Sequence, residues 1–130
     1  MILQGDKVVL VERGREPLKG RWSLPGGVVE AGELVEDALR REVKEETGLE
    51  VKVIGLVEIF ERIQRDAAGR PEYHYVLLDY LCEPLGGRLQ AASDVARAEW
   101  VPRGETGRYP LTSGAREVIE KAFAMRDRRR

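Results

Sequence analysis

The sequence predicts a mixed α/β fold with helices packed on a sheet, and three observations carry that prediction. β-rich runs at 7–11, 50–61 and 72–82 are separated by turn chemistry. Two segments, 33–47 and 112–126, carry apolar residues at helical spacing. At 130 residues, 42% hydrophobic and 35% charged, the chain can bury a core without disulfides or structural metal. With no repeat, linker or low-complexity tract, the expectation is a single domain over residues 1–130.

In chain order, KVVLV (7–11) follows the turn-like QGD and reads as a strand. Only six residues precede it, so either the N-terminal strand is short or the natural start lies upstream. Residues 13–27 hold four glycines and two prolines and form a loop; loops of that length in compact proteins usually work. A helix is expected from about Glu33 to Thr47, with Gly48 ending it in a left-handed cap. EVKVIGLVEIFE (50–61) is the next strand, with a bulge expected at Gly55. DAAGRP (66–71) turns the chain into EYHYVLLDYLC (72–82), and Gly86 with Gly87 marks another turn. AEWVP (98–102) reads as a short strand. The last helix places Ala115, Val118, Ile119, Ala122 and Phe123 toward the core.

Net charge is 22 − 23 = −1. It is uneven: residues 30–50 carry eight acids and three bases, whereas 116–130 carry six bases and three acids. The ending RDRRR is basic enough to touch nucleic acid and is read as a frayed, solvated tail. The lone Cys82 reads as a small buried strand residue and fits a reducing compartment. No apolar run reaches membrane-spanning length and no signal pattern opens the chain, so a soluble, cytoplasmic protein is expected.

REVKEETGLE (41–50) crowds Glu42, Glu45 and Glu46 onto one turn and a half of helix. A helix advances about 100° per residue. With Glu42 at zero, Glu46 falls near ~40° and Glu45 near ~300°. Leu34, Val35, Ala38 and Leu39 share that sector, between ~280° and ~60°, while Glu36, Asp37, Arg40 and Lys44 take the other side. The spacing therefore points the three glutamates inward or into a cleft. Uncompensated, they would suffer desolvation and mutual repulsion, and Arg41 supplies one positive charge. A hard divalent cation resolves the conflict better than protonation of one or two glutamates does. Cys82 and His74 lie far off in sequence, which argues against a softer metal.

These residues carry a resemblance. Gly27 to Leu49, GVVEAGELVEDALRREVKEETGL, resembles the Nudix box, G-x5-E-x7-R-E-U-x-E-E-x-G-U with U aliphatic. Gly27, Glu33, Arg41, Glu42, Val43, Glu45, Glu46, Gly48 and Leu49 fill every specified position, and WSLPGG (22–27) is similar to the usual lead-in. The order of elements extends the likeness over nearly the whole chain. It implies a Nudix fold, an α/β/α sandwich with a mixed β-sheet, and hydrolysis of a nucleoside diphosphate linked to a group X. Glu42, Glu45 and Glu46 would be catalytic and hold Mg²⁺, or Mn²⁺ in its place, together with the Gly27 carbonyl; Arg41 would orient the acids. Glu33 stays open between a supporting and a purely structural role. Asp94, in the loop six residues before Trp100, would be an extra ligand or the base; an Asx turn is the competing reading. Glu58 and Glu61 are weaker candidates.

Arg15, Lys19 and Arg21 flank the loop entering the box, within reach of a diphosphate. Trp22 beside them reads as a base contact or as a loop anchor. Tyr75 belongs to a wider pool with Arg13, Arg65, Arg70 and Tyr73; His74, alternating with Tyr73 and Tyr75, should face away from both. The length and the run from Tyr73 to Val101 resemble small bacterial ADP-ribose pyrophosphatase-like enzymes, implying ADP-ribose as substrate, with AMP and ribose 5-phosphate as products. Hydrolysis of oxidised nucleoside triphosphates such as 8-oxo-dGTP is the nearest rival, and a nucleotide-sensing module without catalysis is the alternative of another class. The expected partner is a small nucleotide, with no membrane and no nucleic acid; a homodimer stays open.

Overall fold

The computed structural model describes residues 1–16 and 18–130; Pro17, one of the two prolines of the 13–27 loop, lies outside the described residues. In chain order the elements are β1 (Leu3–Gln4), β2 (Lys7–Arg13), β3 (Trp22–Ser23), α1 (Val35–Thr47), β4 (Leu49–Arg65), β5 (Pro71–Gly87), β6 (Val95–Pro102), a 3₁₀ turn (Arg103–Arg108) and α2 (Ala115–Arg129).

β2 is the centre of one sheet. β6 runs antiparallel along its whole length, from Lys7↔Pro102 to Arg13↔Val95. A strand has two edges, so β1 (Leu3↔Val8) and β3 (Glu12↔Trp22) share the other one, end to end. β4 and β5 form a long antiparallel hairpin, and the parallel bridge Ile2↔Cys82 joins it to the first sheet, which makes the arrangement mixed.

Helices cover both faces. Val9, Val11, Val43, Leu49, Val51 and Cys82 pack on the α1 side. Val8, Leu10, Val101, Ile119, Ala122 and Phe123 pack on the α2 side. Val8 to Val11 are continuously apolar because β2 is buried on both faces, with its residues alternating between two cores. The five positions expected to face inward from the last helix are all buried. Removing the fully buried ring in Phe123→Ala would cost about 3–5 kcal/mol. No helix among the described residues is long and apolar enough to cross a membrane.

Several boundaries differ from expectation. α1 starts at Val35, with Leu34 still extended at its N-cap, and ends as expected at Gly48, φ 74°. The bulge near Gly55 is present; a Cβ there would stand 2.8 Å from Met125 Cε, so glycine lets α2 approach β4. Gly86 and Gly87 do not turn the chain: they are the last rungs of the ladder, opposite Glu50 and Leu49. α2 continues to Arg129, so Arg126 to Arg129 are helical rather than a frayed tail. Arg126 is largely buried, its guanidinium 5.1 Å from the Phe123 ring and bonded to the Gly5 carbonyl.

Candidate active site

The loop after β3 brings two glycines against α1. The Gly26 amide donates to Glu46 Oε1 at 2.8 Å. Beside it, a Cβ on Gly27 would lie 2.3 Å from the Glu42 carboxyl carbon, an approach only glycine allows. Val43 and Thr47 lock the end of α1 into the core, and the Thr47 hydroxyl donates to the Val43 carbonyl at 2.6 Å. Because Val43 and Thr47 lie about 100–140° round the helix from Glu42, the glutamates border the buried side rather than sit in it. The apolar sector above them is open as well. Leu34 is 73% exposed, while Val35, Ala38 and Leu39 line a cleft. The glutamates therefore take neither alternative outright: Val35, Ala38 and Leu39 line the cleft, and the acidic turn of α1 meets it through Gly26 and Gly27.

Arg41 ties the acids together. Its Nε and Nη2 donate to the two Glu33 oxygens at 2.6 and 2.9 Å. Its Nη1 donates to Glu42 Oε1 at 3.0 Å and lies 3.3 and 3.4 Å from the Glu45 oxygens. The guanidinium bond and the Glu30 amide, 3.0 Å from Oε1, hold the Glu33 carboxyl down at about 2. Glu33 thus contacts Arg41 and the Glu30 amide. Glu46 moves the opposite way, up to about 7: burial is the main cause, opposed by the Gly26 amide and reinforced by the negative charges of Glu42 and Asp94.

Asp94 reaches this cluster through packing distant in sequence. The Gln90 and Ala92 amides bond to the Thr47 and Glu46 carbonyls at 2.9 and 3.2 Å, laying the loop before β6 across the end of α1. The Asp94 carboxylate pairs with Arg15 Nε at 3.2 Å. Glu42, Glu46, Gly27 and Arg41 therefore meet at one end of α1, and this packing sets the Asp94–Arg15 pair beside them; Arg15 is 76% exposed and does not line the cleft. Glu45 stands at the edge, half exposed.

Five other candidates, Trp22, Lys19, Arg21, Glu58 and Glu61, do not join them. Trp22 is a correction: it is 3% exposed, its ring meets Tyr109 edge-on at 4.9 Å, and its backbone bonds Pro110 and Thr112. It anchors the loop from inside the core and cannot stack on a base. Lys19 and Arg21 are exposed, and neither lines the cleft. Glu58 and Glu61 pair with Lys121 and His74 instead. His74 does face away from Tyr73 and Tyr75, whose rings stack 5.9 Å apart.

The cleft itself is about 620 Å³. The Gly26–Gly27 turn closes one end; Val35, Ala38 and Leu39 form one wall, Thr112 to Ala115 another, and β5 from Tyr75 to Tyr80 a third. Arg13, Phe60 and Arg62 also line it. Arg62 reaches the Ser113 carbonyl at 3.4 Å. The sequence did not single out Phe60, Arg62 or Ser113. Alternation along the hairpin, which puts Phe60, Arg62 and Tyr75 on one face, was the available signal.

Among the described residues no three His, Cys, Asp or Glu side chains already stand at ion-holding geometry. The donor set nonetheless fits a hard divalent cation. All its donors are oxygens, the turn has room only because Gly27 lacks a Cβ, and Glu46 is raised by burial first and then by negative neighbours whose repulsion a cation would relieve.

The fold and this geometry define a class: an α/β/α sandwich with an acidic helix face behind the Gly26–Gly27 turn that lines a cleft of about 620 Å³. A family model described as "NUDIX domain" matches residues 1–122, and the chain belongs to the Nudix family. A relative named ADP-ribose pyrophosphatase, from Methanocaldococcus jannaschii, is 40% identical over 77% of this chain and 57% of its own. The human 8-oxo-dGDP phosphatase NUDT18 is 35% identical over 75% of this chain and 29% of its own. The chain thus spans little more than half of the first relative and under a third of the second. The crystal structure of a MutT NUDIX hydrolase from Burkholderia pseudomallei superposes with a TM-score of 0.79 at 30% identity, over 92% of this chain and 91% of that one.

Proposed function

We propose that this chain, acting as one domain over residues 1–130, is a divalent-cation-dependent pyrophosphohydrolase. It cleaves the diphosphate of a nucleoside diphosphate linked to X, and ADP-ribose, giving AMP and ribose 5-phosphate, is the substrate we assign. One observation carries the reading: the Gly26–Gly27 turn meets Glu42 and Glu46 on one side and lines the cleft on the other. The similarity to the Methanocaldococcus enzyme supports the choice of ADP-ribose.

Glu42, Glu45, Glu46 and the Gly27 carbonyl would hold Mg²⁺, or Mn²⁺ in its place. A bound divalent ion supplies the charge that neutralises the diphosphate oxygens. The chain's own residues do the rest. Gly26 fixes the Glu46 carboxylate, Arg41 holds Glu42 and Glu45, and Arg13 and Arg62 offer cations along the cleft to phosphate or X. Either Glu46, already near neutral pKa, or Asp94 takes the proton from the attacking water. Phe60 and Tyr75 give the planar parts of a nucleotide an aromatic wall. Most of the acceleration comes from positioning and charge.

Hydrolysis of an oxidised purine nucleotide is the second reading, favoured by the similarity to the 8-oxo-dGDP phosphatase. A panel of nucleoside diphosphate derivatives and oxidised triphosphates, assayed with Mg²⁺ and with Mn²⁺ and scored for products, separates the two. Tight binding without turnover on every compound would identify a sensor instead. The buried, unpaired Cys82 supports a cytoplasmic setting. A homodimer, if formed, would use the outer hairpin, where Ile59, Val76 and Ile63 are 57%, 60% and 45% exposed. Unchanged elution of Ile59→Glu in gel filtration would rule that contact out.

A further inference from the structure

Arg41 makes contacts of two kinds. Its Nε–Nη2 edge forms a two-point fork with Glu33 at 2.6 and 2.9 Å, and Glu33 is itself tethered by the Glu30 amide. Nη2 also reaches the Val28 carbonyl at 3.2 Å, so this edge is anchored to the loop after Gly27. The remaining nitrogen, Nη1, spreads over Glu42 Oε1 at 3.0 Å and both Glu45 oxygens at 3.3 and 3.4 Å. The fork is short and doubly bonded, whereas the Glu45 contacts are long and shared. Glu42 and Glu45 are also the carboxylates assigned above to a divalent cation. Each lone pair that accepts a guanidinium hydrogen is withheld from a cation, and the positive charge beside it repels one, although a carboxylate keeps further lone pairs.

We propose that Arg41 is an internal competitor for the divalent cation: Nη1 bridges Glu42 and Glu45 and withholds from the ion the lone pairs it engages, while the fork to Glu33 stays closed. The proposal rests on the reading that these carboxylates hold the ion. It separates two roles for one residue. An arginine that only orients ligands strengthens cation binding, so its removal weakens affinity. An arginine that competes for them weakens cation binding, so its removal tightens affinity. Glu33 then acts as the parking site. Its fork keeps the guanidinium from moving fully onto Glu42 and Glu45.

The experiment is Mn²⁺ binding to the whole chain without substrate, read from the free-ion signal in electron paramagnetic resonance, with thermal melts recorded for each variant. Arg41→Gln should lower the Mn²⁺ Kd on the order of tenfold, the scale expected when one positive charge leaves the neighbourhood of a divalent ion near water. Glu33→Gln should raise Kd several-fold, because the freed guanidinium settles on Glu42 and Glu45. Equal or weaker binding by a folded Arg41→Gln would overturn the competition. Should that variant fail to fold, Glu33→Gln decides alone, and unchanged or tighter binding there would overturn it equally. Failure of the wild-type chain to bind Mn²⁺ at millimolar concentration would overturn the ion site itself, and the competition with it.

Discussion

The two ends of the cleft are built by opposite means. At the inner end, backbone sets the geometry: the Gly26 amide holds Glu46, Gly27 admits Glu42 by having no side chain, and Val43 and Thr47 pin the helix at 1% and 0% exposure. At the outer end, side chains on a two-stranded ribbon do the work, and Tyr75 and Val76 are 44% and 60% exposed. A two-stranded hairpin is marginal by itself. Its free half can open locally at little cost in overall stability. Phosphoryl chemistry needs the first kind of construction, because charges must be aimed before the substrate arrives. Recognition of a variable group X tolerates the second.

If that division is right, substitutions at the inner end should strike turnover and those at the outer end should strike affinity. The largest effect is expected from Glu46→Gln, a charge removal that keeps shape: kcat should fall about a hundred- to ten-thousand-fold with an unchanged circular dichroism spectrum. Near-wild-type turnover would remove Glu46 from the chemistry. Gly27→Ala comes next. The new methyl displaces the Glu42 carboxylate, a flexible side-chain end, so Tm should hold while kcat/KM drops on the order of a hundredfold. A loss of stability without loss of activity would place the glycine's role in folding instead.

A smaller effect is thermodynamic. Glu46 has its folded pKa raised to about 7 from 4.5, so between those values the folded chain binds the proton more tightly than the unfolded chain does. Its contribution is neutral below about pH 4.5, becomes destabilising as pH rises, and is fully destabilising above about pH 7. In chelator, wild-type Tm should therefore decline relative to Glu46→Gln from pH 5 to 8; parallel curves would show that the carboxyl is not desolvated. At the outer end, Tyr75→Ala should raise KM about three- to tenfold and leave kcat within twofold, the cost of one half-exposed aromatic contact. A kcat effect as large as that of Gly27→Ala would erase the distinction between the ends.

The same contrast governs what could be read from the sequence. Inner-end residues are local: Glu42, Glu45 and Glu46 share one helix, and Gly27 and Arg41 stand at fixed spacing from them, so periodicity and motif sufficed. Asp94 was reachable only through its position before Trp100. What brings it to Glu46 is the bonding of Gln90 and Ala92 to the end of α1, which no spacing reveals. The cleft walls join Phe60, Arg62, Tyr75 and Ser113 from three segments, and their meeting depends on the register of the hairpin. Trp22 stayed open between base contact and loop anchor because a tryptophan in a cationic loop fits either until its packing on Tyr109 is seen. The end of α2 was misread because charge suggested fraying, while Arg126 packs along Phe123.

Phosphorus NMR of ADP-ribose incubated with the wild-type chain, with Mg²⁺ and then with chelator, tests the central claim most directly. The account predicts that the diphosphate resonances give way to those of AMP and ribose 5-phosphate when Mg²⁺ is present and persist when it is removed. Intact diphosphate with Mg²⁺, or equal cleavage in chelator, would contradict it.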